Sequence, residues 1–146
     1  MAESGQELPL VQMEQVTKVY QMGRVDVQAL RGIGLTIMAG DFVAIVGASG
    51  SGKTTLMNII GCLDLPTEGS YLIRGQDVSS YGDRRLSMLR GEEIGFVFQN
   101  YSLLQQYSAV HNVQMPHYYA TGRGDRERAL ALLEHVGLRE RARHKP

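Results

Sequence analysis

The stretch GASGSGKTT at residues 47–55 is the tightest constraint on what this chain can fold into. It fills every fixed position of the pattern G-x-x-x-x-G-K-[ST] with Gly47, Gly52, Lys53 and Thr54, and that pattern needs a strand before it and a helix after it. Both flanks comply. Upstream, DFVAIV at 41–46 is a short apolar run of the kind a parallel sheet buries on both faces. Downstream, Leu56, Met57, Ile59 and Ile60 recur at helical spacing, and Gly61 stands where the helix should close.

The residue types point to a chemistry. A triphosphate packs several negative charges into a small volume, so many backbone N–H groups must come close, which only small residues permit. Gly47, Ala48, Ser49, Gly50, Ser51 and Gly52 are all small. A helix starting near Lys53 adds the positive end of its dipole, the Lys53 ammonium adds a mobile full charge, and Thr54 offers a hydroxyl to Mg²⁺, with Thr55 completing the run. A glycine-rich turn that merely links strand to helix would explain the glycines but not the Lys-Thr pair.

Composition narrows the classes. The chain has 146 residues, 43% hydrophobic, with 15 basic and 15 acidic side chains, as expected of one ordinary globular domain. A net charge near zero argues against nucleic acid as the main partner. The arginines at 84–85, 123–128 and 139–143 stand beside acids or at helical spacing and read as solvated faces. Cys62 is the only cysteine, so no intrachain disulfide can form, and it is expected to be a buried, inert small side chain. His111, His117, His135 and His144 show no metal-ligand spacing, which leaves Mg²⁺ carried with a nucleotide as the expected metal. No apolar run approaches bilayer length, so a membrane role would have to come through a partner.

Periodicity predicts strands at 11–20 and 29–38 around a polar turn, QMGRVD, and so a small all-strand layer ahead of the loop. After the loop helix, LDLPTEGS turns the chain, 71–74 gives a short strand, 83–90 a helix, and IGFVF at 94–98 a second buried strand. Helices follow: one within 108–119, interrupted by Pro116, and one over 125–136 with Leu130, Leu133 and Val136 on a face. Residues 10–99 therefore read as β layer and loop core, and 100–146 as the start of a helical subdomain.

Four segments together resemble the ATP-binding subunit of an ABC transporter: TKVY at 17–20, VQALRGIGLTI at 27–37, the glycine loop with IIGCLDLPTEGSY after it, and IGFVFQNYSLL at 94–104. The wording SGSGKTTLMNIIGCLD and the later Asn112, Val113 and Pro116 are most similar to the subfamily that drives lipoprotein release and macrolide or peptide export. The resemblance implies an α/β fold, a P-loop NTPase core with an N-terminal antiparallel β layer and the beginning of a helical subdomain. It implies ATP and Mg²⁺ as ligands, Tyr20 as the aromatic stacked on adenine, and Gln99 as the glutamine that touches Mg²⁺ and the attacking water. Lys53 and Gln99 are then the catalytic candidates, Thr54 and Gln99 the metal ligands, and the segment 101–119 the surface facing a transmembrane permease subunit or fused membrane domain. A second nucleotide-binding subunit, joined on ATP binding, and a position on the cytoplasmic face of the membrane complete that picture.

The chain departs from the family pattern in places. Gln105 stands where relatives often have proline, and Gly34 stands in a strand where a polar side chain is commoner. No later apolar strand ending in Asp-Glu occurs, and ALALLE at 129–134 has helical periodicity instead. The glycine-containing motif that closes over a partner's ATP is missing too. The chain therefore reads as the truncated front portion of a longer transport ATPase and is not expected to turn over ATP alone. Two other readings stand beside this one: a nucleotide-binding remnant or regulator without turnover, and a small-molecule kinase, which would leave Tyr20 and the Gln99 strand as coincidences.

Overall fold

The computed structural model describes residues 8–146; the first seven residues of the polar start lie outside them. The described residues belong to two compact units, one ending at Ile94 and one running from Gly95 to Pro146.

The first unit is built on a hairpin. Strands β1 (Val11–Met22) and β2 (Val25–Ile37) pair antiparallel as far as Met22 opposite Val25. Pairing thus continues through most of the stretch whose polarity suggested an open turn, leaving only Gly23 and Arg24 as the connection. A two-residue hairpin loop with φ of 66° at its first residue suits Gly23, which has no Cβ to clash there. Strand β3 (Glu68–Ile73) pairs with the other side of β1, and β4 (Gln76–Asp77) adds to β3, giving the antiparallel order β2-β1-β3-β4.

The middle strand carries a bulge that redirects its side chains. Val11 and Met13 are buried as alternation requires, yet Val16 joins the same core, one position out of phase with an unbroken strand. The extra residue is Gln15, in the left-handed region at φ 48°, where the pairing with β3 slips between Glu14 and Thr17. Gly69 on β3 makes room for it: a Cβ there would stand 2.5 Å from the Gln15 carbonyl oxygen.

Helix α1 (Lys53–Ile60) packs Ile59 against this face, with Tyr71 from β3 and Leu86 from α2 (Asp83–Glu93) in the same cluster. Tyr71 is fully buried and its hydroxyl donates to the Ile60 carbonyl at 2.6 Å, so the ring closes the core and satisfies a helix-end acceptor. The helix ends one residue later than its glycine suggests. Gly61 has an ordinary φ of −78°, and the left-handed residue is Cys62 at φ 53°. The bonds from Leu63 N to Asn58 O and from Cys62 N to Ile59 O form the paired closure that usually has glycine at this position. Cys62 is buried there, as composition suggested.

The second unit packs α3 (Ala109–Thr121) on α4 (Arg126–His135), with a single 3-10 turn at Arg139–Arg141. Its core is Val110, Ala129, Leu133 and Ala142. The inward stripe of α4 is therefore Ala129 and Leu133, while Val136 is 68% exposed, unlike the face that hydrophobicity alone picks out. Asp125 caps α4 by accepting from Arg128 N at 2.9 Å. Helix α3 runs through Pro116 rather than breaking at it.

Two expected strands are absent. Residues 41–46 and 94–98 contain no ladder-paired strand. Their apolar character is real, but strand structure needs a hydrogen-bonding neighbour, and none is present for either among the described residues.

Candidate functional site

The glycine loop sits in the first unit, between the unpaired 41–46 segment and α1. Gly50 and Gly52 both have positive φ, 77° and 87°. Gly52 is the more constrained, because a Cβ on it would lie 2.6 Å from the Ala29 carbonyl oxygen on β2. That close approach brings the N-terminus of α1 against the sheet. The helix opens without a side-chain cap and with no acid in its first turn, which leaves its positive end available to an anion.

Lys53 folds back over the loop. Its ammonium donates to the carbonyls of Gly47 at 2.8 Å and Ala48 at 2.6 Å, and reaches Ser51 Oγ at 3.4 Å. Beside it is an open cavity of about 440 Å³, walled on one side by Val27, Gln28 and Ala29 of β2 and on the other by loop and helix residues including Lys53, Thr54 and Thr55. The donor set of ammonium, hydroxyls and helix end suits phosphate oxygens, and Thr54 lines the same cavity. Among the described residues no carboxylate lines the cavity, so the arrangement can hold a polyanion but those residues contribute no acid to orient water.

Tyr20 lies near the far end of β1 and is not part of that wall. Its hydroxyl donates to Asp64 Oδ2 at 2.8 Å, and Lys18, two residues back on the same strand face, pairs with Asp64 Oδ1. The Lys18 ammonium is 5.1 Å from the Tyr20 ring centroid. Burial pushes the Tyr20 hydroxyl above its usual pKa, and the bond to Asp64 adds to that. Burial alone would raise the Asp64 carboxyl, but the hydrogen bonds from Lys18, Tyr20 and the Leu65 amide outweigh it and hold the group below the ordinary value of 3.8. Asp64 is thus a charged acceptor and Tyr20 a protonated donor across the neutral range. Sequence reading passed over Lys18 and Asp64; the available signal was a Lys and a Tyr at strand spacing together with an acid just past the loop helix.

Gln99 belongs to the second unit, at an exposed turn after the unpaired 94–98 segment, so its pairing with Lys53 rests on the resemblance alone. That unit has a larger cavity, about 570 Å³, lined by aromatic and apolar groups including Tyr107, Met115, Tyr118 and Tyr119. Its described lining includes Gln106, His111 and Gln114 but no lysine or arginine to meet a phosphate's charge, so size alone does not make it the nucleotide site. Among the described residues no helix is long and apolar enough to cross a membrane.

The family described as ABC transporter matches residues 30–146. The macrolide export ATP-binding/permease protein MacB of Hyphomonas neptunium is 52% identical over 140 residues, covering 94% of this chain and 22% of that protein. An uncharacterised ABC transporter ATP-binding protein of Thermotoga maritima is 48% identical over 139 residues, 94% of this chain and 59% of its own length. Among solved structures, a dimeric post-hydrolysis state of the ATP-binding cassette MJ0796 bound to ADP and Pi superposes with a TM-score of 0.83 at 41% identity, over 93% of this chain and 61% of that one. The chain thus spans about a fifth of the macrolide-export relative and about three fifths of the other two.

Proposed function

This chain belongs to the ABC transporter family, and from that premise we propose that it is the nucleotide-binding, energy-coupling part of an exporter and takes Mg-ATP at the Gly47–Thr55 loop. The observation that carries the reading is the seating of that loop. Gly52 is pressed against β2, α1 points an uncapped N-terminus outward, and Lys53 and Thr54 stand together at the mouth of one cavity. Similarity to a MacB protein supports the export class, and similarity to a dimeric cassette supports pairing with a second nucleotide-binding unit.

In this reading the Lys53 ammonium exchanges its loop carbonyls for the outer phosphate oxygens of the nucleotide. The helix N-terminus and loop N–H groups neutralise the remaining charge. Mg²⁺ bound with the nucleotide supplies charge compensation at the outer phosphates, and Thr54 is the residue of this loop whose hydroxyl would hold it. Tyr20 stacks on the adenine, and Gln99 follows the nucleotide state and passes it toward a membrane permease, fused or separate, through the 101–119 surface. Hydrolysis requires acids, and none among the described residues lines the cavity, so the proposed role of these residues is binding and coupling. A location at the cytoplasmic face of the membrane follows from that coupling.

Calorimetric titration of ATP and ADP into the chain tests the site. Binding at micromolar or weaker affinity is expected, with Lys53→Ala removing it; unchanged binding in that variant would overturn the assignment.

A further inference from the structure

We infer that Asp64 is a positioning residue for nucleotide binding: by holding the Tyr20 hydroxyl it sets the ring that meets the base and ties it to the same helix, α1, that presents the phosphate loop. The inference rests on the reading of Tyr20 as the base platform.

Both carboxylate oxygens of Asp64 are committed. Oδ2 accepts from Tyr20, while Oδ1 takes the Lys18 ammonium and the Leu65 amide, the latter at 2.8 Å. An acceptor so fully engaged has little rotational freedom, and a phenol tethered at its outer end cannot swing away from a base. A charged acceptor makes this tether stronger than one between neutral groups.

The tether leads back to α1. The paired closure after Cys62 brings Leu63 N to Asn58 O at 2.8 Å, and Asp64 N reaches the same carbonyl at 3.3 Å. From there the loop is stitched along β1: Lys18 donates to Leu65 O at 2.7 Å, Val19 N to Thr67 Oγ1 at 3.0 Å, and Thr67 N to Thr17 O at 2.9 Å. Base platform and phosphate loop therefore hang from opposite ends of one helix, about 12 Å long for its eight residues. The Gln15 bulge completes the arrangement. Without it, unbroken alternation would turn Val16, and Lys18 and Tyr20 after it, to the face away from α1.

The test compares two ligands in the full 146-residue chain: ATP, which has a base, and inorganic tripolyphosphate, which does not. Asp64→Ala should weaken ATP by roughly five- to tenfold while leaving tripolyphosphate within about twofold. In a Tyr20→Phe background the same substitution should add no more than about twofold, since the one bond that joins Asp64 to the ring is already gone. Equal losses for both ligands, or no loss for ATP, would overturn the inference. If Asp64→Ala does not fold, Tyr20→Phe decides, because it deletes the same bond and leaves the Lys18–Asp64 pair intact. An unchanged ATP affinity there is an adverse result; a selective ATP loss is a supporting one. Tyr20→Ala separates the two levels of the argument. If it leaves the ATP to tripolyphosphate ratio unchanged, the base platform itself is wrong; if it lowers the ratio and Asp64→Ala does not, only the positioning role fails.

Discussion

At the residue scale, two positions are constrained by more than their residue type suggests. Gly52 combines a φ of 87° with a 2.6 Å approach to the Ala29 carbonyl, so no L side chain fits without moving the helix N-terminus off the sheet. Gly52→Ala should cost at least about 1–2 kcal/mol from the left-handed backbone alone. It should also abolish ATP binding, whereas Gly50→Ala, with the same sign of φ but open space around it, should lose less. Thermal melts and calorimetry on the two variants would separate backbone strain from steric displacement. Asp64 is constrained electrostatically. Its folded pKa lies below the ordinary 3.8, so the stabilisation it brings is present above that value and is lost as pH falls through the depressed folded value. The expected signature is a melting temperature that drops below about pH 4 in the wild type. In Asp64→Asn that acid limb is shallower and the neutral-pH stability is lower; parallel curves from pH 7 to 2 would contradict it.

At the element scale, the elements legible from sequence were those whose signal is local. The loop helix shows in the spacing of Leu56, Ile59 and Ile60, and α4 in Asp125 and the apolar positions after it, because capping and periodicity act within a few residues. Less legible was whatever depends on a neighbour. The Gln15 bulge exists because Gly69 lies opposite, and Gly69 is more than fifty residues away in sequence; the left-handed Cys62 is held by a helix closure that glycine usually provides. Of the site, the loop residues were legible as a pattern, whereas the Asp64 link to Tyr20 required the folded hairpin. Pro116 is the converse case, a strong local signal overridden by context. It removes one intrahelical hydrogen bond in α3, yet the helix continues to Thr121 while Asn112, whose carbonyl loses its usual donor, ties its side chain to the backbone of Leu104, Tyr107 and Ser108. Pro116→Ala should therefore stabilise the second unit by up to about 3 kcal/mol, read as slower amide exchange across α3; faster exchange would show that the proline is needed for packing.

At the scale of the whole molecule, the decisive contrast is between backbone that has a partner and backbone that has none. In the first unit β1 is hydrogen-bonded on both sides, and Met13, Val16 and Tyr71 are almost wholly buried beneath it. The segment 41–46 is equally apolar, but Phe42 is 98% and Val46 88% exposed, and in the second unit Val97 is fully exposed. Apolar composition alone does not protect a strand; an edge with unpaired N–H and C=O groups and bare side chains is a template for pairing with another chain. Two consequences follow from this one cause. Amides of Ala44, Ile45 and Val97 should exchange orders of magnitude faster than those of Met13 and Tyr71, since local opening costs little where no ladder must be broken. The chain should also associate as its concentration rises, with light scattering that grows more slowly when Phe42 and Val97 are replaced by Ser. Slow exchange at Ala44 and Ile45 in a strictly monomeric sample would mean that those amides have acquired a partner within the chain, and the exposed edge would then be the wrong description of this fold.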